Sequence, residues 1–369
     1  MQTKTLYLDI PIIGVTGSFG KTSVKELVYS VLNEEFKTYK TPRSYNMVNT
    51  TKQFASVADE YEAAVLEMAM SKKNWGRKHC TVVQPNFGVI TAVGHAHFKN
   101  FKSLEDVATS KSELVKYMKQ DGTLLLNIDD ENIDLINTNY FPGQIITVGT
   151  SKQSMYQGTN IKFDGNGMVF NVLLNNKLEE MFVPLLGKHN VINSLFAIAI
   201  ADQLGFRLES IKEGLKNVEL PRGRLTLKHL ENNRLIIDDS FNATPKTMEV
   251  ALEIFDKYIE SKNKIVLFGD IAQLGKYSQE GHEKVGKTLA KYNFDKIFLY
   301  GQNSTFIMKR AIERGIDKEK IYHFLNKREL IEKLEEEFKQ DSSLLVKASG
   351  ATKLNHVVNY FKSNFRQTS

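Results

Sequence analysis

Cysteine is almost absent from this sequence, and long apolar runs are missing altogether. The single Cys80 excludes an internal disulfide and a multi-cysteine metal site, which fits a reducing compartment. No stretch approaches the roughly 18 apolar residues that a membrane-spanning helix requires. The N-terminal segment MQTKTLYLDIPIIG lacks the long apolar stretch and the small-residue cleavage site of a signal peptide. We therefore expect a cytoplasmic protein without a membrane span.

The excess of one sign of charge is also small, proline is scarce, and the sequence has no low-complexity segment. The 49 basic and 43 acidic residues leave a net charge of +6 and form no long basic block. This balance weakly favours an anionic ligand and gives almost no support for nucleic acid binding. With 41% hydrophobic residues, 25% charged residues and only seven prolines, the composition is that of a globular protein. A chain of 369 residues is long enough for two domains, each with its own core.

Hydrophobic periodicity predicts alternating strands and helices in the first part of the chain. Residues 12–16 form a short apolar run, a glycine-rich turn follows, and apolar residues then recur at helical spacing from Val24. This alternation is typical of a parallel sheet covered by helices. Apolar residues alternate over 168–172 and precede Asn175 and Asn176, which predicts an antiparallel hairpin on the side of this domain.

The segment NVELPRGR at 217–224 is the best candidate for a linker, because it contains proline and glycine and has no periodicity. A second alternation follows it and predicts a smaller, Rossmann-like open sheet. The expected fold class is therefore α/β, with two domains. The first, over 1–219, has a mostly parallel sheet, and the second, over 220–369, is a C-terminal α/β domain.

The strongest local motif is GVTGSFGKTS at 14–23, between a predicted strand and a predicted helix. Its glycines let backbone N–H groups face phosphate oxygens, while Lys21 can reach the terminal phosphates and Thr22 can bind Mg²⁺. The spacing differs from the commonest phosphate-binding loop, since Val15 stands where that pattern has glycine. A structural turn opening a helix is the alternative, but Gly-Lys-Thr in this context favours a nucleotide site. The candidate residues are Gly17, Ser18, Gly20, Lys21, Thr22 and Ser23.

Ten further segments occur in the order found in the Mur ligase family, which the chain resembles over about residues 10–360. They are VKEL after the loop, TPRSYNMVNT at 41–50, VLEMAM at 65–70, ITAVGHAHF at 90–98, ATSKSEL at 108–114, GKHNVINSLFAIAIA at 187–201, GRL at 223–225, IDDSFNATPKTM at 237–248, FGDIAQLG at 268–275 and LLVKASGATK at 344–353. The stretches DDSFNATP and GDIAQLG are most similar to the branch that adds D-alanyl-D-alanine in peptidoglycan synthesis.

This resemblance implies an ATP-dependent acid–amino-acid ligase, with residues 1–219 as the family's central ATP-binding domain and residues 220–369 as its C-terminal domain. ATP phosphorylates a carboxylate, an amine attacks the acyl phosphate, and an amide forms with release of ADP and phosphate. Such chemistry needs positioned cations around oxygens that gain charge. Lys21 and Thr22 supply part of this environment, and Glu67 matches the family glutamate that helps to bind the Mg²⁺ between the last two phosphates. Taken alone, a carboxylate at a strand end is usually a solvated loop residue.

The resemblance also implies a second Mg²⁺ site at His97 and Lys111. In the family the matching lysine is carbamylated by carbon dioxide, which turns a cation into an anion that binds the metal together with the histidine. The reaction needs an uncharged amine, so Lys111 should lie where its pKa is depressed. Without the family context, Lys111 would be a surface lysine and His97 a packing histidine.

Further nucleotide contacts are implied at both predicted domains. Asn190 and Asn193 lie three residues apart near a helix start and are expected to approach the adenine, although Asn190 alone could simply cap that helix. Arg224 matches the family arginine at the terminal phosphate, and Asp239 the residue near the ribose. ATP would then be clamped at the domain boundary. Lys347 and Ser349 match positions near the carboxylate of the incoming amine, which we expect to belong to an amino acid or dipeptide.

The sequence departs from the family pattern where the acceptor substrate is recognised. Only 13 residues precede Gly14, whereas members that act on uridine-linked muramoyl peptides carry a nucleotide-binding domain there. Ala92, Arg77 and Gly350 stand where the family usually has asparagine, glutamate and arginine. We therefore expect a carboxylate acceptor that is not linked to uridine diphosphate.

Two alternatives to this acceptor remain open. In one, the acceptor is the muramoyl peptide and a partner protein supplies substrate recognition. In the other, the chain is a non-catalytic ATP-binding partner or scaffold.

Overall fold

The structure, a computed structural model, describes residues 8–42, 48–94, 100–272 and 274–367. The chain divides into two units, one of Met1–Pro184 with Lys188–Glu219 and the other of Leu185–Gly187 with Leu220–Ser369. The change of unit after Glu219 falls within the proline- and glycine-containing segment at 217–224.

A seven-stranded parallel sheet forms the centre of the first unit, with strand order β2-β3-β1-β4-β5-β6-β7. Its strands are β1 (Ile12–Thr16), β2 (Thr38–Lys40), β3 (Ala63–Glu67), β4 (Phe87–Ile90), β5 (Thr123–Asn127), β6 (Gln144–Gly149) and β7 (Tyr156–Gln157). Every residue of β1 and β3 is buried, as expected for strands covered by helices on both faces. The parallel sheet predicted from the sequence is confirmed.

Six α-helices accompany these strands in the part of the first unit that the structure describes. They are α1 (Lys21–Leu32), α2 (Val48–Ala55), α3 (Trp75–Val82), α4 (Leu104–Tyr117), α5 (Lys188–Gln203) and α6 (Leu208–Lys216). Helix α1 begins directly after the glycine-rich turn, and its residues Val24, Leu27, Val28 and Val31 are fully buried. Helical spacing therefore identified the face of α1 that packs into the core.

A small antiparallel sheet completes the first unit. Its strands β8 (Thr159–Phe163), β9 (Met168–Leu174) and β10 (Lys177–Val183) pair in the order β10-β9-β8. Asn175 and Asn176 form the turn between β9 and β10 with φ values of 49° and 61°, a conformation that asparagine tolerates better than most residues. The predicted hairpin is present, and β8 extends it by one strand.

The second unit contains a six-stranded sheet of order β11-β12-β16-β13-β14-β15 and five α-helices among its described residues. The strands are β11 (Thr226–Leu230), β12 (Arg234–Asp239), β13 (Asn263–Gly269), β14 (Lys296–Tyr300), β15 (Ile321–Phe324) and β16 (Ser342–Lys347). The helices are α7 (Pro245–Tyr258), α8 (Ser278–Leu289), α9 (Ser304–Glu313), α10 (Lys327–Glu337) and α11 (Asn355–Asn364). Only the edge strand β11 is antiparallel to its neighbour.

The sequence-based assignment to the α/β class, with a smaller second sheet, is confirmed. The antiparallel edge strand makes the second sheet mixed, whereas the sequence predicted only an open α/β sheet. Across the described ranges, no helix has both the length and the apolar character needed to cross a membrane.

Candidate active site at the phosphate loop

The predicted phosphate loop follows the carboxyl end of β1 and leads into α1. Gly17 has φ 149° and Gly20 has φ 80°, backbone conformations that residues with a side chain rarely adopt. A Cβ atom on Gly17 would lie 1.9 Å from Thr91 Oγ1. These two positions therefore require glycine, for conformation at both and for space at Gly17.

The segment after β4 braces this loop through hydrogen bonds. The Ser18 N–H donates to the Ala92 carbonyl at 2.8 Å, and the Ser18 hydroxyl donates to the Gly94 carbonyl at 2.9 Å. The Thr91 hydroxyl donates to the carbonyl of Phe19. The loop is thus held in shape by neighbouring backbone. Ala92, one of the departures from the family pattern, contributes only its backbone carbonyl to this brace.

Lys21 and Thr22 occupy the first turn of α1. Lys21 Nζ donates to the Gly17 carbonyl at 2.9 Å and so lies over the loop. Thr22 Oγ1 donates to the carboxylate of Glu67, at 3.1 Å from Oε2 and 3.2 Å from Oε1. Glu67 ends β3, which pairs in parallel with β1, so both side chains reach the same edge of the sheet. A buried hydroxyl and a buried carboxylate are the oxygen ligands that Mg²⁺ prefers.

Thr41 connects this edge to α1 in a way that sequence reasoning missed. Its hydroxyl accepts from the Glu67 N–H at 3.0 Å, and its carbonyl accepts from Lys25 Nζ at 3.0 Å. Lys25 is fully buried and also pairs with Glu26 Oε1 at 2.9 Å, while Lys40 pairs with Glu26 Oε2 at 2.6 Å. The network holds Glu67 in place. The sequence segments VKEL and TPRSYNMVNT contain Lys25, Glu26 and Thr41 and could have pointed to this network.

Lys111 lies on α4 and is only 2% exposed, which contradicts the alternative of a surface lysine. Burial lowers the pKa of Lys111 to about 7, and the positive charge of Lys21 nearby adds to this lowering. Its ammonium has no carboxylate partner in the described part of the chain. This lowering increases the fraction of Lys111 that is uncharged near neutral pH, and the uncharged amine is the state that reacts with electrophiles.

His97, the proposed partner of Lys111, lies outside the described residues. Within those residues, no group of three or more histidine, cysteine, aspartate or glutamate side chains could hold a metal ion.

Asn190 and Asn193 lie in the first half of α5 and are 2% and 7% exposed. Asn193 Nδ2 donates to Asn190 Oδ1 at 3.1 Å, so the two amides form one group. A Cβ atom on Gly20 would lie 3.1 Å from Asn193 Oδ1. The structure therefore brings this amide pair next to the phosphate loop.

The remaining predicted residues belong to the second unit. The Arg224 guanidinium lies 4.7 Å from the centroid of the Phe241 ring. Asp239, at the end of β12, forms a buried ion pair with Lys347, at the end of β16, and burial raises the pKa of Asp239 against the opposing effect of Lys347. The Ser349 hydroxyl accepts from the Ala272 N–H at 2.8 Å. Sequence reasoning treated Asp239 and Lys347 as separate contacts and did not foresee their pairing.

Comparison with protein families assigns both units. The Mur ligase middle domain matches residues 15–201, and the glutamate ligase domain of Mur ligases matches residues 223–350.

Similar proteins and solved structures extend over nearly the whole chain. It is 30% identical over 353 residues to the UDP-N-acetylmuramoyl-tripeptide--D-alanyl-D-alanine ligase of Bacillus subtilis, covering 95% of this chain and 76% of that protein. The Escherichia coli ligase of the same name is 28% identical over 359 residues, covering 96% of this chain and 77% of that protein. A crystal structure of MurF from Acinetobacter baumannii has a TM-score of 0.84 and 26% identity, covering 95% of this chain and 76% of that one.

A MurF ligase from Thermotoga maritima, solved in complex with ADP, has the same fold, with a TM-score of 0.82, 22% identity and coverage of 96% of this chain and 80% of that one. Together with the family matches to both units, these similarities show that the chain belongs to the Mur ligase family and is an ATP-dependent acid–amino-acid ligase.

Proposed function

We propose that this ligase adds D-alanyl-D-alanine to a muramoyl peptide carried on uridine diphosphate. The names of the relatives support this substrate pair, since they describe D-alanyl-D-alanine addition to a UDP-N-acetylmuramoyl tripeptide. The observation that carries the catalytic part of the proposal is the Thr22–Glu67 pair beside the phosphate loop, at 3.1 Å. The positive charge of Lys21, on the same turn of α1 as Thr22, also acts on buried Lys111 and lowers the pKa of that lysine.

The reaction proceeds in two steps whose atoms balance. A carboxylate oxygen of the acceptor attacks the terminal phosphorus of ATP, and the bond from that phosphorus to the bridging oxygen breaks, which releases ADP. The amine nitrogen of the dipeptide then attacks the acyl carbon, loses a proton and expels inorganic phosphate. Lys21 and the N–H groups of the loop stabilise the negative charge that develops on the phosphate oxygens.

Thr22 and Glu67 are the residues that would hold the first Mg²⁺. The ion, when bound, neutralises charge on the last two phosphates of ATP. The Thr41 hydroxyl supports this role, because it fixes the backbone of Glu67 at 3.0 Å.

Lys111 is proposed to carry a carbamate that holds a second Mg²⁺ together with His97. The uncharged Nζ attacks the carbon of carbon dioxide, one C–O electron pair moves onto oxygen, and Nζ loses a proton. The low pKa of about 7 makes the uncharged amine available for this step. A buried carbamate anion is stable only when cations lie nearby. The ammonium of Lys21 is one such cation.

Nucleotide contacts are proposed for residues of both units. The amide pair of Asn190 and Asn193 offers a donor and an acceptor to the adenine edge. Arg224 is proposed to contact the terminal phosphate, and Asp239 to lie near the ribose.

The acceptor is the part of the proposal that differs from the sequence-based expectation. The comparisons give no support to an acceptor without uridine diphosphate, and none to a separate partner protein. The chain spans about three quarters of the length of the curated relatives that it matches. Family membership also removes the reason to consider a non-catalytic scaffold.

The test is an assay of ADP release with product mass. Purified protein receives ATP, Mg²⁺, D-alanyl-D-alanine and UDP-N-acetylmuramoyl tripeptide, and parallel reactions replace the acceptor by the same muramoyl tripeptide without uridine diphosphate. We expect one ADP for each molecule of product. The mass of the product should equal that of the acceptor plus the dipeptide, less one water. Activity confined to the acceptor without uridine diphosphate would contradict the proposed substrate. If neither acceptor leads to ADP release, the proposed reaction is contradicted.

A further inference from the structure

A basic pocket lies between α2 and α3 in the first unit and has a volume of about 700 Å³. Three cations line it, Lys52 from α2 and Arg77 and Lys78 from α3, together with the aromatic ring of Trp75. The lining contains no carboxylate among the residues that the structure describes. Lys52, Arg77 and Lys78 are exposed, and none of them has an acidic partner within the described chain.

The positions of these side chains follow from helical geometry. Along α3 and the residue that precedes it, the lining residues recur at spacings of three and four, at Trp75, Lys78 and Val82 and at Asn74, Arg77 and Thr81. One broad face of α3 therefore faces the pocket. Three positive charges gathered on one concave surface repel one another, and an anion that binds among them relieves this repulsion.

Glu113 already occupies two backbone N–H groups at the N-terminus of α3, so we assign the binding to the cationic side chains. Glu113 Oε1 accepts from the Asn74 N–H at 2.7 Å, and Glu113 Oε2 accepts from the Arg77 N–H at 3.2 Å. Guanidinium and ammonium groups pair with phosphate or carboxylate oxygens through charge-assisted hydrogen bonds. The chemistry of this pocket therefore selects phosphate or carboxylate groups.

The pocket is tied to the candidate active site by α4. Ser110 and Glu113 flank Lys111 on this helix, and both hydrogen-bond to the segment that runs from Met70 to Arg77. Ser110 Oγ donates to the Met70 carbonyl at 3.1 Å. The same segment begins three residues after Glu67, the proposed metal ligand. An extended acceptor that reaches Lys111 with its reacting carboxylate can thus place another anionic group beside α3.

We infer that Lys52, Arg77 and Lys78 bind an anionic group of the acceptor substrate, remote from the carboxylate that reacts. The inference rests on the proposed function, since it deepens the recognition of that acceptor. This inference also explains why Arg77 stands where the family usually has glutamate, because a carboxylate at this position would repel an anionic group of the acceptor.

The experiment measures acceptor binding without turnover, by calorimetry in the absence of ATP and dipeptide. The variant R77Q/K78Q is compared with unmodified protein and with K177Q, which removes an exposed lysine from the start of β10. Two probes are used, UDP-N-acetylmuramoyl tripeptide and the same muramoyl tripeptide without uridine diphosphate. We expect R77Q/K78Q to weaken acceptor binding at least about ten-fold, as for the loss of hydrogen bonds between charged groups. K177Q should bind like the unmodified protein.

The two probes identify the group that the pocket holds. A loss confined to the uridine-linked probe assigns the diphosphate, and an equal loss with both probes assigns a peptide carboxylate. The proposal is overturned if R77Q/K78Q binds within two-fold of the unmodified protein, if it loses ATP affinity to the same extent, or if the unmodified protein binds neither probe. Binding that depends on the two cations, without any ADP release in the complete assay, would contradict the proposed function and still support the pocket.

Discussion

At the scale of single residues, the most informative side chain is Lys111, a lysine that is 2% exposed and close to a second lysine. Replacement of Lys111 by alanine should reduce turnover at least about a hundred-fold, because the carbamate proposed as an anionic metal ligand could not form. ATP affinity should change little, since Lys21 and the loop amides remain. A short carboxylic acid or bicarbonate should partly restore turnover by occupying the vacated space. Steady-state ADP release and ATP binding measure both quantities, and a variant with full activity would remove the carbamate proposal.

The burial of Lys111 also predicts a pH-dependent cost in stability. The folded pKa is about 7 and the ordinary value is 10.5, so between these values the unfolded chain binds more protons than the folded chain. Stability therefore increases as the pH rises through this window, and the cost is fully present below about pH 7. In buffer free of carbon dioxide, Lys111→Met should raise the free energy of unfolding by a few kcal/mol at pH 6.5 and by clearly less at pH 9.5. Urea unfolding at both pH values tests this, and a pH-independent gain would argue against it.

Residue-level expectations could be formed where the chemistry is encoded in local motifs. The family resemblance, and not the residues alone, suggested that Thr22 and Glu67 share a metal site, and the structure brings the two side chains into contact because carboxyl ends of parallel strands share one edge. The roles of Thr41 and Glu113 could not be predicted. Their partners lie 16 to 39 residues away in the sequence, and only the packing of complete helices and strands brings them together.

At the scale of elements, the contact between α3 and α4 determines where the proposed acceptor pocket lies. A Cβ atom on Gly76 would lie 2.5 Å from the Cβ of Glu113. The carboxylate of Glu113 reaches the amides of α3 only because the helices approach so closely. The elements themselves were largely predictable, since α1 and α4 carry apolar periodicity and α5 is apolar along most of its length. The short helices α2 and α3 were not, because each is only eight residues long and mostly polar.

Gly76→Ala should therefore separate α3 from α4 and lower the free energy of unfolding by about 1–3 kcal/mol, as expected for overpacking. Lys78→Ala is the matched control, since Lys78 is exposed on the same helix and alanine favours helix formation. Chemical denaturation measures both variants. Equal stability of Gly76→Ala and Lys78→Ala would mean that this contact is not close in solution.

At the scale of the whole molecule, each unit has a hydrophobic core of its own. One core cluster draws on β1, β3 and α4 residues such as Leu66 and Leu114, and another is built around residues of the second unit such as Leu267 and Val346. Two cores of this kind can unfold in separate steps. A ligand that binds one folded unit stabilises that unit by mass action.

Calorimetry of the full chain with nucleotides tests this view together with the proposed phosphate contacts. ADP at about 100 times its dissociation constant should stabilise the unit that contains the loop by about 2.7 kcal/mol, which corresponds to a rise of about 5–10 °C in its unfolding temperature. Lys21→Ala should remove most of this rise. Arg224→Ala should leave the effect of ADP intact and reduce only the additional effect of a non-hydrolysable ATP analogue, because Arg224 is assigned to the terminal phosphate. An Arg224 variant that responds to both nucleotides like the unmodified chain would contradict that assignment, whereas a loss confined to the analogue would place the guanidinium at the phosphate that is transferred.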